Sequence, residues 1–359
     1  MASKHNQGKS CYVTPGKFEC GGLNVLCEVI FEDGVVWLCR AGWVREEHSL
    51  KYVRNLIEST VTTMRYLKKS SDLPIPAVYA YEADSTKSEI GAAYMFLEPF
   101  PGKSSKLIEP MQDQPAIQRQ VAYITTATSR HTFPRIGWLR ETDDGVDIGP
   151  MTDESGEEYG PFDTSVEFFR DHVQRLRSEW ISSTPQGDPP IENLFTCWLY
   201  EQLALRLDTS NSGPFPLMHP EPCTGQMLLT ESFELKGVID WDTAGTVPWL
   251  LLSCYPAVLK IVWPRVDQGR YGPSKIKEIL DTRKFYVDGL KRYAIQGERS
   301  ASEILAILDK DADKVEILDQ MYYFGVPYFQ DDGHRVYKYL FPESEISFEN
   351  FRNDQARWR

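Results

Sequence analysis

Apolar residues recur along this chain with two different periods, and the periods outline its elements. Val29-Ile30-Phe31 and Val35-Val36-Trp37-Leu38 are short extended segments separated by Asp33-Gly34. An Asp-Gly pair takes positive φ at both central turn positions, so a β-hairpin with a tight two-residue connection is predicted between Val29 and Arg40. From about Ser49 to Lys69 the period lengthens. Val53, Ile57, Val61, Met64 and Leu67 recur at helical spacing and form one stripe, and Pro74 and Pro76 stop that helix. The run from Ala92 to Leu97 reads as a short buried strand, broken by Glu98-Pro99-Phe100-Pro101-Gly102. Phe133 to Leu139 leads into a hairpin-like stretch around Asp143-Asp144-Gly145, closed by Gly149-Pro150 and Gly160-Pro161. Thr164-Ser165-Val166-Glu167 has the form of a capping box and opens a helix with Phe169, Val173, Leu176 and Trp180 on one face. Helices are also predicted from Asn193 to Leu207, Ile276 to Tyr293, Ala301 to Leu308 and Val315 to Phe324. The charged stretch from Phe341 onward is expected to be loosely held.

Composition narrows the function. The chain has 359 residues, 42 % hydrophobic and 25 % charged, which is ordinary for a globular protein of one or two domains. A formal net charge of −13 argues against a nucleic-acid or anionic-membrane partner. It leaves room for a phosphate-bearing cofactor, because such sites use a few local cations and backbone N–H groups. No apolar run of roughly 18 residues is present and the N-terminus lacks a signal-peptide pattern, so a cytoplasmic location is expected. Seven scattered cysteines without CxxC spacing read as reduced thiols. From Glu141 to Asp163 there are nine acidic residues and no Lys or Arg; this reads as a solvated loop, with an acidic rim for a cationic substrate as the alternative.

The candidate chemistry lies in Leu217-Met218-His219-Pro220-Glu221, followed by Gly225-Gln226-Met227-Leu228-Leu229 and Gly237-Val238-Ile239-Asp240-Trp241-Asp242. This combined pattern resembles the catalytic segment of the aminoglycoside phosphotransferase and choline kinase-like family, in a divergent branch of fungal type. The resemblance covers nearly the whole chain, including the middle Phe-Pro-x-Ile-Gly and Gly-Pro-Phe elements. It implies an α+β, two-lobed, protein-kinase-like fold. Residues 1–101 would form a small N-lobe of antiparallel sheet and one helix, and 102–359 a larger, mostly helical C-lobe.

It also implies roles. Glu221 would be the catalytic base, with His219 supporting the loop through hydrogen bonds. Gln226 and Asp240 would hold the metal, Asp240 bridging it to the phosphates. Arg40 would contact phosphates and pair with Glu58, and Gly22, Asn24 and Glu98 would lie on the nucleotide side. Two catalytic positions depart from the family, which has Asp where Glu221 stands and Asn where Gln226 stands; Cys223 replaces its second histidine. Each lengthened side chain gains about 1.5 Å of reach, and a misplacement of about 1 Å lowers a rate about 100-fold. Three expectations therefore stand side by side. One is an ATP- and Mg²⁺-dependent kinase for a small-molecule hydroxyl. The second is a repurposed enzyme of a specialised-metabolite pathway that uses the same cleft without ATP. The third is a catalytically silent pseudokinase. Tyr322, Tyr323, Phe324, Tyr328 and Phe329 are candidates for lining an acceptor site or for an ordinary core.

Overall fold

A computed structural model describes residues 1–22, 24–42, 48–104, 115–183, 191–208, 212–222, 225–260, 272–324, 333–345, 347 and 349–350. The fold is mixed, with antiparallel sheets and several helices. A short helix α1 (Ala2–His5) precedes a first sheet built from β1 (Cys11–Val13), β2 (Glu19–Cys20), β3 (Asn24–Phe31), β4 (Val36–Gly42), β5 (Val78–Glu82) and β6 (Tyr94–Leu97). Its order is β1-β3-β4-β6-β5, with β2 paired to β3. Phe31, Trp37, Cys39, Tyr94 and Phe96 fill its core. The β3–β4 hairpin forms, but its connection is longer than the two residues predicted. Gly34 N–H donates to Phe31 O and Phe31 N–H to Val35 O. Of the Asp-Gly pair, the glycine takes positive φ, at 82°, and Asp33 does not, the pattern of a type I turn closed by a bulged glycine.

Helix α2 (Leu50–Ser70) packs against this sheet. Ser49 caps it by accepting the Tyr52 N–H at 3.1 Å, which satisfies one of the unpaired donors of the first turn. The predicted stripe is its buried face: Val53, Ile57, Val61, Met64 and Leu67 are all at most 9 % exposed. Between them lie buried hydroxyls at Ser59, Thr60, Thr62 and Thr63.

Next come β7 (Lys103–Ser104), α3 (Pro115–Ser129), β8 (Thr132–Phe133), β9 (Gly137–Thr142), β10 (Gly145–Gly149), β11 (Met151–Thr152) and β12 (Glu158–Tyr159). The β11–β12 hairpin lies across the first turns of α2: Ser49 N–H donates to Glu154 O, and Asn55 donates to Thr152 Oγ1 and Glu158 Oε1. Part of the acidic run is thus used in packing, with Lys51 pairing to Glu158 at 3.0 Å.

Helices α4 (Ser165–Ser183) and α5 (Ile191–Leu207) follow. The capping box forms as the sequence indicates. Glu167 N–H donates to Thr164 Oγ1 at 3.1 Å, and the Glu167 carboxylate accepts from Thr164 and Asp163 N–H. Then come β13 (Phe215–Met218), β14 (Met227–Leu229), β15 (Leu235–Val238), β16 (Gly245–Thr246), α6 (Trp249–Leu252), α7 (Pro273–Ile295), α8 (Arg299–Phe324) and α9 (Gly333–Leu340). The two helices predicted between Ala301 and Phe324 run together as α8, kinked at Asp311. Tyr322 packs on Phe168 and His172, as a core residue does; Tyr328 and Phe329 lie outside the described residues.

The chain divides into two compact units, and the division is not a single cut after residue 101. One unit comprises Met1–Phe133, Gly137–Pro161 and Leu217–Thr246; the other comprises Pro134–Ile136, Phe162–Pro216 and Val247–Arg359. Every residue of the catalytic segment and its expected partners fall in the first. Among the described residues, no helix is long and apolar enough to cross a membrane.

Candidate active site

The segment after β13 is anchored by a buried histidine. His219 is 2 % exposed. Its Nε2 is 3.0 Å from Ile239 O, and its Nδ1 accepts the Glu221 N–H at 3.1 Å. A neutral imidazole has one donor and one acceptor nitrogen, and both are engaged here. The ring therefore supports the loop and has no nitrogen left for substrate. Burial lowers its pKa to about 4, against a smaller opposing pull from Ile239 O. Trp241, 1 % exposed, packs edge-on against it at 4.5 Å and donates from its indole N–H to Val238 O.

Three oxygen-bearing side chains meet on the other side of this anchor. Gln226 Nε2 lies 3.5 Å from Glu221 Oε2 and 3.5 Å from Asp240 Oδ2. Two backbone contacts set the spacing. Ile239 N–H donates to Gln226 O at 2.9 Å, and Ser104 Oγ donates to Gly225 O at 3.3 Å. Asp240 has a φ of 65°, and Thr243 one of 62°. Such left-handed backbone costs a residue other than glycine roughly 1–3 kcal/mol and is retained where surrounding structure fixes it. The Asp240 carboxyl is held above its ordinary pKa by desolvation first and then by Asp242; Arg40 and Gln226 oppose this. Its side chain is 49 % exposed, so it still faces water.

Arg40, near the end of β4, is where the sequence expectation fails. Its guanidinium makes a fork to Asp242, with Nη1 3.0 Å from Oδ1 and Nη2 2.5 Å from Oδ2. Thr60 Oγ1 donates to the same Asp242 Oδ1 at 3.1 Å, and Asp240 Oδ1 is 3.5 Å from Nη2. Burial alone would lower the Arg40 pKa, but Asp242 and Asp240 together outweigh it and the net shift is upward. The expected pairing with Glu58 is not made. Glu58 instead lines a cavity of ≈ 440 Å³ with Arg54, Tyr81, Glu82, Asp84 and Lys87.

The remaining candidates differ in availability. Gly22 has open space where a Cβ would stand, and Gly21 N–H closes the adjoining turn on Asn24 O at 2.8 Å, so this backbone can be approached from outside. Glu98 has one carboxylate oxygen already engaged. Its Oε2 accepts from Lys68 at 2.8 Å and from Ala77 N–H at 2.9 Å. Its pKa is lowered on balance, since these two bonds outweigh desolvation. Cys223 lies outside the described residues.

Sequence reasoning missed Asp242 and Thr60. The signals were present: a second acid two residues after Asp240, and hydroxyls placed inside an otherwise apolar helix stripe. Chemically, the site gathers two carboxylates around the Gln226 amide N–H₂; carboxylate oxygens suit a hard divalent cation, and the amide would join them as a ligand with its oxygen turned inward. A buried guanidinium stands beside it.

The phosphotransferase enzyme family is matched over residues 44–250, more than half of the chain. The chain belongs to that family. Among related proteins, it is 23 % identical over 290 residues to Clavilactone A biosynthesis cluster protein Y of Ampulloclitocybe clavipes, covering 74 % of this chain and 70 % of that protein. Among solved structures of the same kinase-like fold, a fructosamine-3-kinase candidate from Thermobifida fusca superposes with a TM-score of 0.52 at 16 % identity, covering 94 % of this chain and 97 % of its own. An amicoumacin kinase solved with AMP-PNP and Ca²⁺ gives 0.50 at 13 % identity, covering 94 % and 90 %.

Proposed function

We propose that this family member transfers a phosphoryl group from ATP to a hydroxyl of a small molecule, with Mg²⁺ in the site. The observation that carries the reading is the meeting of Glu221, Gln226 and Asp240 around one point. Asp240 and Gln226 would hold the cation, which when bound neutralises phosphate charge and orients it for transfer. Glu221, exposed at the end of the histidine-anchored segment, would accept or orient the proton of the attacking hydroxyl. His219 fixes where that carboxylate starts from. Because Glu221 and Gln226 are both one methylene longer than the family pattern, they suit phosphates held correspondingly farther from the backbone. The relative from a biosynthesis cluster supports a setting in specialised metabolism, and AMP-PNP and Ca²⁺ in the amicoumacin kinase structure support nucleotide and metal use.

Thermal denaturation with Mg²⁺ and AMP-PNP tests this. The wild-type protein should be protected by several degrees and Asp240→Ala should not. Absence of protection in the wild type overturns the reading.

A second reading is favoured by one observation. Arg40, the cation expected to face phosphates, is engaged by both oxygens of Asp242. A repurposed enzyme, using Glu221 as general acid or base without nucleotide, would need no free cation there. Such an enzyme turns over its substrate in EDTA, and strict dependence on ATP rejects it.

A further inference from the structure

Arg40, Thr60 and Asp242 come from three separate segments: β4, α2 and the stretch after β15. Asp242 uses both carboxylate oxygens to join the other two, at 2.5 and 3.0 Å to the guanidinium and 3.1 Å to the hydroxyl. The pair is largely withdrawn from water, with Arg40 at 11 % and Asp242 at 13 % exposure. A planar fork matched to a carboxylate is the ion-pair geometry that arginine makes and lysine cannot. Glu58 cannot share the task. It precedes Thr60 by two residues, which on an α-helix is about 200° of rotation. With Thr60 facing Asp242, Glu58 is carried to the opposite side, where the structure places it beside Tyr81 and Asp84.

We propose that Asp242 is a positioning residue: it holds Arg40 to α2 through Thr60, taking over the task expected of Glu58. The inference rests on the phosphotransferase reading for its consequence. Asp240 is a second carboxylate beside Arg40, its Oδ1 3.5 Å from Nη2. Once Asp242 no longer binds it, the guanidinium turns to Asp240 and competes with the metal for that carboxylate. The clamp therefore keeps the metal-holding acid available.

The experiment compares Asp242→Asn, Thr60→Val and Glu58→Gln in the full-length protein, titrating Mg²⁺ at fixed AMP-PNP and reading binding by calorimetry. The half-saturating Mg²⁺ concentration should rise about tenfold in D242N and about threefold in T60V, and stay within twofold of wild type in E58Q. A rise in E58Q equal to that in D242N overturns the proposal, as does an unchanged D242N. Amide hydrogen exchange of the ligand-free proteins supplies an independent readout should the wild type bind no nucleotide, an outcome that rejects the phosphotransferase reading alone. The peptide containing Thr60 should exchange faster in D242N than in wild type and be unaltered in E58Q. Equal exchange in D242N and wild type overturns the clamp itself.

Discussion

His219 couples stability to pH. Its folded-state pKa of about 4 lies below the ordinary value of 6.5, so between those values the unfolded chain binds a proton that the folded chain refuses. Stability is then fully present above pH 6.5 and is lost as pH falls toward 4, by on the order of 3 kcal/mol. His219→Gln should flatten that dependence, read as the difference in urea midpoint between pH 7 and pH 5; an equally steep loss in the variant would contradict the assignment. Gln226 gives a second residue-scale prediction. Shortening it to Asn withdraws the amide by about 1.5 Å from contacts already at 3.5 Å, so Mg²⁺-dependent nucleotide binding should weaken about tenfold in calorimetry. The convergence of Glu221, Gln226 and Asp240 was expected from the resemblance of the catalytic segment to its family, and the structure brings the three side chains together. The partner of Arg40 was not, because Asp242 stands 202 residues further along the chain and the pairing depends on how the stretch after β15 returns to β4.

At the scale of elements, α2 and α4 begin on caps written in the chain. Ser49→Ala and Thr164→Ala should each cost about 1 kcal/mol in chemical denaturation, and an unchanged midpoint would discount the caps. Gly156 adds a tertiary test of the same helix start. Its φ is 93°, and a Cβ there would stand 2.5 Å from Ser49 Oγ. Gly156→Ala should therefore be more destabilising than either cap loss, by the same measurement. Helices with a single apolar stripe and a cap were readable. Helix α3 was not: its run of Thr and β-branched residues from Ile124 to Thr128 has weak helical preference, and packing decides it. Strand β5 (Val78–Glu82) also escaped, since its two prolines upstream read as a loop and its register comes only from pairing with β6. The Asp33-Gly34 connection was mistaken by one residue because the same dipeptide serves both tight and bulged hairpins.

For the molecule as a whole, family and fold class were readable from the catalytic segment, while the partition of the chain was not. A boundary after residue 101 follows from the turn-rich linker, but the first unit also recruits residues 137–161 and 217–246. A fragment ending at residue 101 lacks both, including the Asp242 that engages Arg40. It should therefore show no cooperative urea transition by circular dichroism, whereas a sharp transition would restore the simple cut. The interrupted unit also bears on the chain's first moments. During synthesis, the face of α2 that carries Thr60 emerges long before Asp242. Thr60 and Asp242 are 182 residues apart, so at roughly 5–20 residues per second about 10–35 s separate them. Through that interval the nascent chain carries an arginine whose Asp242 partner has not yet been made.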